Sequence, residues 1–327
     1  MLKLSNIQLL RFLAALMVMF SHLADQEIMW KSSSQSHSWV HLLSYGKYGV
    51  DIFFVISGYV ITSSYMKTKK TPREFIIVRF FRIYPIYAIA TTLLTLLHLL
   101  VPSLMAESNI SLRNVLSSLT FTSNVFGYEY PFLPQGWTLE IEVLFYCIFV
   151  GSIILCSLCQ RFQININILS ILIIAFCALF GAPFIMLEFI YGIFIASILG
   201  TKGRNVLIFI SILIISFSIL IFNRIDLNDL RLFSIGVPSA MLVYFATKLP
   251  QIQLKGIGFL GEISYSMYLL HGMSIAFLDR LFTFLEIQSI PLFILSVLIM
   301  VLFISSISYL KIEKPFNDIG KKYVKHM

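Results

Sequence analysis

Apolar segments of membrane-spanning length follow one another along almost the whole chain. A helix needs about 20 mostly apolar residues to cross the hydrocarbon core of a bilayer, and lipid offers the backbone no hydrogen-bond partners, which favours helices over strands. We therefore expect an all-α polytopic membrane protein, with about ten helices in one bundle and a single domain over residues 1–327. The predicted helices lie at about 5–23, 49–66, 83–101, 137–159, 164–180, 183–200, 205–222, 232–248, 260–284 and 290–311.

The composition supports a membrane protein. Hydrophobic residues make up 58% of the chain and charged residues 12%, whereas soluble domains average about 45–50% and about 25%. The net charge of +8 does not call for nucleic acid as a partner, because basic residues collect on cytoplasmic loops and beside anionic headgroups. With the N-terminus inside, most of the 24 basic residues fall on the cytoplasmic side, so both termini are predicted to be cytoplasmic.

The first predicted helix carries two polar residues within "LLRFLAALMVMFSHL" (9–23). Arg11 and His22 are eleven residues apart, which places them on one helical face and about 16 Å apart along the axis. A charge at mid-bilayer costs about 2.5–3.5 kcal/mol, so such residues usually have a function. Two interpretations remain open: Arg11 snorkels or pairs with a carboxylate while His22 lies at the interface, or His22 is a general base.

The segment "YGVDIFFVISGYVI" (48–61) opens the second predicted helix at the same external surface. Asp51 lies in its first turn, where the helix dipole favours an anion, and this alone would explain the residue. Gly49, Ser57 and Gly58 allow a close approach of another helix.

The segment "REFIIVRFFRIYPIYAI" (73–89) enters the third predicted helix from the cytoplasm. Arg79 and Arg82 are three residues apart and therefore share a helical face. The positive-inside rule accounts for arginines at this position, but paired guanidinium groups also suit bidentate contacts with phosphate. Both interpretations remain open.

The segment "PQGWTLEIEVLFY" (134–146) starts the fourth predicted helix, after a folded external loop that returns to the membrane at Trp137. Glu140 and Glu142 are two residues apart, about 200° around a helix, so at most one can point to a common site with His22. An acid inside a span is a functional candidate, and a position near the helix N-terminus explains Glu140 better than Glu142.

A polar stripe is predicted in "ISYSMYLLHGM" (263–273), where Ser264, Tyr268 and His271 are spaced by four and three residues. This spacing fits a hydrogen-bonded structural stripe as well as it fits a wall of a substrate site.

Taken in order, these segments resemble the integral membrane acyltransferase 3 family, of the type that O-acetylates surface polysaccharides. The opening Arg–ten residues–His pattern, the second-helix signature "GVDIFFVISGYVI" and the Arg–two–Arg pattern are followed by "GWTLEIEVLFY", "ISYSMYLLHG" and "YLKIEKPF". The six motifs extend from Arg11 to Phe316, and their order makes the resemblance specific.

The resemblance implies an enzyme of the bacterial cytoplasmic (inner) membrane. Such enzymes transfer an acyl group, usually acetyl from cytoplasmic acetyl-CoA, to a hydroxyl of a surface carbohydrate such as lipopolysaccharide O-antigen, exopolysaccharide or capsule. No metal is expected. Carried over by motif, Arg11, His22 and Glu142 are the catalytic residues, and Arg79 and Arg82 bind the CoA phosphates. The residues expected to bind or orient the substrate are Asp51, Trp137, Tyr268 and His271.

In the expected mechanism, His22 takes the proton of a sugar hydroxyl and Arg11 offsets negative charge on the thioester. Either Glu142 or Asp51 orients the imidazole. Direct transfer and an acyl-His22 intermediate both remain open. Two departures from the family pattern stand out. Val143 occupies the position of a second glutamate, and no appended esterase-like domain is expected, so the bundle is expected to act alone or with a separate partner.

The main alternative is a membrane carrier for a glycolipid or an anionic solute. The arginines would then be counter-charges for the substrate, and His22 a proton relay. No internal repeat of the kind found in many carriers is visible in the sequence, which disfavours this alternative mildly. CoA-dependent ester formation distinguishes the two functions.

Overall fold

The computed structural model describes residues 4–25, 42–101, 111–159, 165–199 and 231–327, and every regular element in these residues is helical. The helices are α1 (Ser5–Asp25), α2 (Gly49–Thr68), α3 (Pro72–Leu100), α4 (Leu112–Leu119), α5 (Trp137–Leu158), α6 (Ile166–Leu179), α7 (Glu188–Leu199), α8 (Val237–Lys248), α9 (Ile257–Phe284), α10 (Ile290–Ser308) and α11 (Lys314–Lys325).

The helical architecture confirms the predicted fold class. Nine of the ten predicted spans coincide with helices, and the tenth, 205–222, lies outside the described residues. Within the described residues, five helical segments are long and apolar enough to cross a membrane: Ser5–Ala24, Leu42–Thr68, Pro72–Leu100, Pro134–Leu158 and Ile290–Lys325.

Helix α3 begins at Pro72 instead of near residue 83, where its apolar run starts. The backbone N–H of Thr71 donates to Glu74 Oε2 at 2.7 Å, and the backbone N–H of Glu74 donates to Thr71 Oγ1 at 3.3 Å. This reciprocal pair is a capping box, and proline at the first helical position supports the same start. The hydropathy pattern did not predict this start, because charged residues interrupt the first turns of α3. The capping interactions define the start instead.

One compact unit comprises residues 1–11, 50–76 and 141–258. Glycines bring α2 and α7 together within it, because a Cβ atom on Gly58 would lie 2.3 Å from the carbonyl oxygen of Phe189. A Cβ atom on Gly192 would likewise lie 2.2 Å from the carbonyl oxygen of Val55. The two backbones therefore touch where a larger residue cannot fit.

A second compact unit comprises residues 12–49, 77–140 and 259–327. The loop before α5 is folded as predicted, with α4 inside it and the buried hydroxyl of Tyr87 lying 2.7 Å from Ser118 Oγ. Glu140 holds the same loop by accepting hydrogen bonds from the backbone N–H groups of Ser123 at 2.8 Å and Asn124 at 3.2 Å. Its carboxylate thus anchors the loop to the first turn of α5.

The motifs "ISYSMYLLHG" and "YLKIEKPF" contact each other within this second unit. Ser266 donates a hydrogen bond to Glu313, which is buried in the π-helical turn after α10. Ser308 Oγ lies 2.9 Å from Ser266 Oγ. The glutamate of the Glu-Lys-Pro motif therefore ties the end of α10 to α9, which is a structural role.

Candidate active site

Arg11 and His22 lie on one continuous helix, as predicted. Helix α1 has no break between Ser5 and Asp25, and His22 is in its last turn. The side chain of His22 is exposed and that of Arg11 is partly buried. An exposed imidazole at a helix end can meet a substrate without prior opening of the protein.

The imidazole of His22 stacks on the imidazole of His271. Their centroids are 5.1 Å apart and their planes differ by 29°. His271 is completely buried, and its Nδ1 lies 3.2 Å from the carbonyl oxygen of Met267. Because a carbonyl only accepts, this contact assigns the proton of a neutral His271 to Nδ1 and leaves a lone pair on Nε2.

The Nε2 atom of His271 is buried and has no hydrogen-bond partner among the described residues. Buried polar atoms are nearly always satisfied by protein or water, so an orphaned nitrogen next to a second histidine makes this a candidate functional position. Two histidines from distant parts of the sequence thus form one centre.

Tyr268 connects this centre to the start of α5. The hydroxyl of Thr138 donates to the hydroxyl of Tyr268 at 2.9 Å, and Tyr268 donates in turn to the backbone carbonyl of Gln135 at 3.3 Å. The ring centroids of Tyr268 and His271 are 6.0 Å apart. Trp137, which is partly buried, precedes Thr138 directly.

The structure therefore brings together three of the predicted residues, His22, Tyr268 and His271, and adds two that the sequence analysis did not select, Gln135 and Thr138. The only sequence signal for these two residues is their position in the "PQGWT" segment just before and within the first turn of α5. All of these residues belong to the second unit.

Glu142 belongs to the first unit and has different partners from Glu140. Its Oε1 accepts hydrogen bonds from Ser57 Oγ at 2.8 Å and from the Tyr146 hydroxyl at 2.7 Å. The two glutamates thus point to different surroundings, as their spacing predicts. Two hydroxyl donors on one oxygen fix the carboxylate against α2.

Asp51 forms a bidentate ion pair with Arg231. The Nε–Oδ1 distance is 2.9 Å and the Nη2–Oδ2 distance is 2.8 Å, while Asp51 is fully buried. The carboxyl group of Glu188, which is also fully buried, interacts electrostatically with the same pair. The helix dipole is therefore not the whole explanation of Asp51, since a guanidinium 180 residues away neutralises it.

Arg79 and Arg82 both lie inside α3 and are partly buried. Because α3 already begins at Pro72, the two arginines occupy its second and third turns, not its entry. A regular helix keeps the two arginines on one face, so their side chains can bind the same anion.

The helices of membrane-spanning length define a helical membrane protein, and its candidate site is centred on two stacked histidines. The family model described as an acyltransferase domain matches residues 4–310. The chain therefore belongs to the acyltransferase-3 family, as the ordered motifs indicated.

Two curated relatives share part of the chain. The exopolysaccharide production protein ExoZ of Rhizobium meliloti (strain 1021) is 42% identical over 118 residues, which cover 35% of this chain and 36% of that protein. Nodulation protein 10 of Rhizobium leguminosarum bv. viciae is 29% identical over 164 residues, which cover 43% of this chain and 42% of that protein. The matched segments thus span about two fifths of each relative. No solved structure matches the chain.

Proposed function

We propose that this family member is an O-acyltransferase that moves an acyl group, acetyl in the simplest case, from acyl-CoA to a hydroxyl of a surface carbohydrate. The observation that carries the proposal is the His22–His271 pair, in which an exposed imidazole stacks on a buried one with an orphaned nitrogen. Membership of the family supports an acyltransferase activity. A relative named for exopolysaccharide production supports a polysaccharide acceptor.

In the proposed reaction, His22 is the general base. It removes the proton of the acceptor hydroxyl, whose oxygen forms the new ester bond to the acyl carbon while the carbon–sulfur bond of the thioester breaks. The CoA thiolate then takes the proton from the imidazolium. General base catalysis of this kind typically contributes 10²–10⁴-fold in rate.

His271 positions the base in this proposal. Its contact with the Met267 carbonyl sets its orientation, and its ring supports the face of the His22 imidazole. The bidentate bond to Arg231 occupies both oxygens of Asp51. We therefore give Asp51 the role of holding α2 to Arg231, and not that of orienting His22.

The donor side of the proposal rests on the arginines. Arg79 and Arg82 would hold the phosphates of acyl-CoA at the cytoplasmic face, because guanidinium groups form paired bonds to phosphate oxygens. Arg11 would stabilise the negative charge that develops on the acyl oxygen. Glu142, fixed by Ser57 and Tyr146, remains a predicted member of the catalytic set.

The decisive experiment measures base-labile acyl ester on the surface polysaccharide of a deletion strain. The strain is complemented with wild type, His22→Ala or His98→Ala at matched membrane abundance. His98 is the matched control, because it is a histidine in the last turn of α3, as His22 is in the last turn of α1. We expect ester with wild type and His98→Ala and none with His22→Ala.

Equal ester with His22→Ala would remove His22 from the mechanism. If wild type itself forms no ester, consumption of labelled acetyl-CoA by the purified protein decides between an enzyme with another acceptor and a carrier. Single-turnover trapping with the same label distinguishes an acyl-His22 intermediate from direct transfer, because only the former transiently labels the protein.

A further inference from the structure

The side chain of Gln135 lies directly against the backbone beside the histidine centre. A Cβ atom placed on Gly272 would be 2.2 Å from Gln135 Nε2 and 3.2 Å from its Cδ. Gly272 follows His271 directly on α9, so the amide of Gln135 packs against the residue next to His271. Only glycine at position 272 leaves room for the amide.

The backbone of Gln135 is anchored independently of its side chain. Its carbonyl oxygen accepts the hydrogen bond of the Tyr268 hydroxyl at 3.3 Å, within the short 3₁₀ turn Pro134–Gly136 that precedes α5. The side chain thus projects from a fixed support, as a residue that recognises a substrate requires.

The amide of Gln135 retains its hydrogen-bonding capacity. The side chain is partly buried, and no described residue forms a hydrogen bond with its nitrogen or its oxygen. A primary amide offers two donors and an acceptor. A sugar hydroxyl both donates and accepts, so a vicinal pair of hydroxyls can satisfy the amide while one of them faces a histidine.

We propose that the Gln135 amide binds a second hydroxyl of the acceptor sugar and so determines which hydroxyl becomes acylated. The proposal rests on the acyl-transfer function proposed above and extends it to the selection of the reacting hydroxyl. A site that hydrogen-bonds a particular hydroxyl discriminates strongly, because the wrong sugar orientation leaves buried polar groups unpaired.

The test uses the purified full-length protein, acetyl-CoA and base-deacylated surface polysaccharide from the host. Gln135→Met keeps the length of the side chain and removes its donors and acceptor. We expect the KM for the polysaccharide to rise about tenfold or more, as for a lost hydrogen bond to a substrate, with a changed distribution of ester among the sugar hydroxyls by NMR. The KM for acetyl-CoA should change by less than about twofold, since the proposal has the amide contact the acceptor and not the donor.

A double-mutant cycle separates recognition from packing. Gly272→Ala pushes the Gln135 amide aside and should reproduce the change in ester position while the amide is still present. In a Gln135→Ala background the same substitution meets no side chain and should have little further effect, so the two changes should be non-additive.

Unchanged ester position and unchanged KM for the polysaccharide in Gln135→Met, with normal ester formation by wild type, would overturn the inference and leave the proposed function standing. A loss of kcat with both KM values and the ester position unaltered would also overturn it, because that pattern indicates a structural role. Absence of ester with wild type, together with no consumption of labelled acetyl-CoA, would overturn both proposals together.

Discussion

The imidazole rings of His22 and His271 stack with their centroids 5.1 Å apart and their planes tilted by 29°, which joins the last turn of α1 to the middle of α9. One ring is exposed and the other completely buried. The exposed ring can meet the substrate, while the buried ring is held by a backbone carbonyl and cannot turn freely. In the proposed mechanism, the two rings correspond to the base and the orienting group of a catalytic triad, with a second imidazole in place of the carboxylate.

The first prediction tests whether His271 acts through the stacking of its ring or through its ring nitrogen atoms. His271→Phe keeps an aromatic face against His22 but removes the orphaned Nε2 and the Nδ1–Met267 contact. We expect ester formation to fall at least about tenfold at equal membrane abundance, because positioning of a general base then depends on stacking alone. Ester formation is measured as the base-labile ester released from whole cells, and His98→Phe is the control. Full activity of His271→Phe would show that the ring face suffices.

The second prediction concerns the ion pair of Asp51 and Arg231. Asp51→Asn should lower the free energy of unfolding in detergent by about 3 kcal/mol, near the lower end for breaking a buried pair, because Arg231 is 37% exposed and partly solvated. Replacing both residues, as Asp51→Asn with Arg231→Met, should recover part of the loss, since the guanidinium that lost its carboxylate partner is removed as well.

The exposed pair of Lys321 and Asp318 is the comparison for this measurement. Their N–O distance is 3.1 Å, but the two side chains are 66% and 50% exposed. Lys321→Ala should therefore cost at most about 1 kcal/mol and lose that effect at high salt. Equal costs for the two pairs would mean that burial does not strengthen the Asp51 interaction.

The third prediction tests the donor role of the arginines in α3. Arg79→Ala and Arg82→Ala should each raise the KM for acyl-CoA about tenfold, with little change in the KM for the polysaccharide, because a charge-assisted bond to phosphate is lost. Lysine at either position should restore the charge but only part of the affinity. Steady-state kinetics of purified protein measures both values.

Arg73 is the matched control, because it lies in the first turn of the same helix and is exposed. Arg73→Ala should leave the KM for acyl-CoA unchanged. If all three alanine variants behave alike, the positive-inside rule is sufficient to explain Arg79 and Arg82.

The fourth prediction concerns the close approach of α2 and α7. Gly192→Ala should lower the free energy of unfolding by about 1–3 kcal/mol, because its Cβ would meet backbone atoms of α2 at 2.2 Å and the helices must separate. Gly151→Ala is the control, since a Cβ there meets nothing within 4 Å. The control should be neutral or stabilise by about 0.5–1 kcal/mol, as alanine favours helix over glycine. A tolerated Gly192→Ala would contradict the packing described for this pair.

Local patterns determined much of the fold. Runs of apolar residues identified α1, α2 and α5 within a few residues, because a span must bury its backbone hydrogen bonds in itself. The same local logic placed Arg11 and His22 on one helix and separated Glu140 from Glu142. It failed at the start of α3, where the capping box of Thr71 and Glu74, and not hydropathy, decides the boundary.

The contacts that build the site were decided by tertiary structure. The sequence selected His22 and His271 individually, but nothing in their spacing predicts that the rings stack. It attributed Asp51 to a helix dipole, whereas Arg231 from a distant segment neutralises it. Helical periodicity determines which residues share a face within one helix. Which faces contact each other depends on long-range packing, such as the contact of Gln135 with Gly272. No local sequence pattern encodes these long-range contacts.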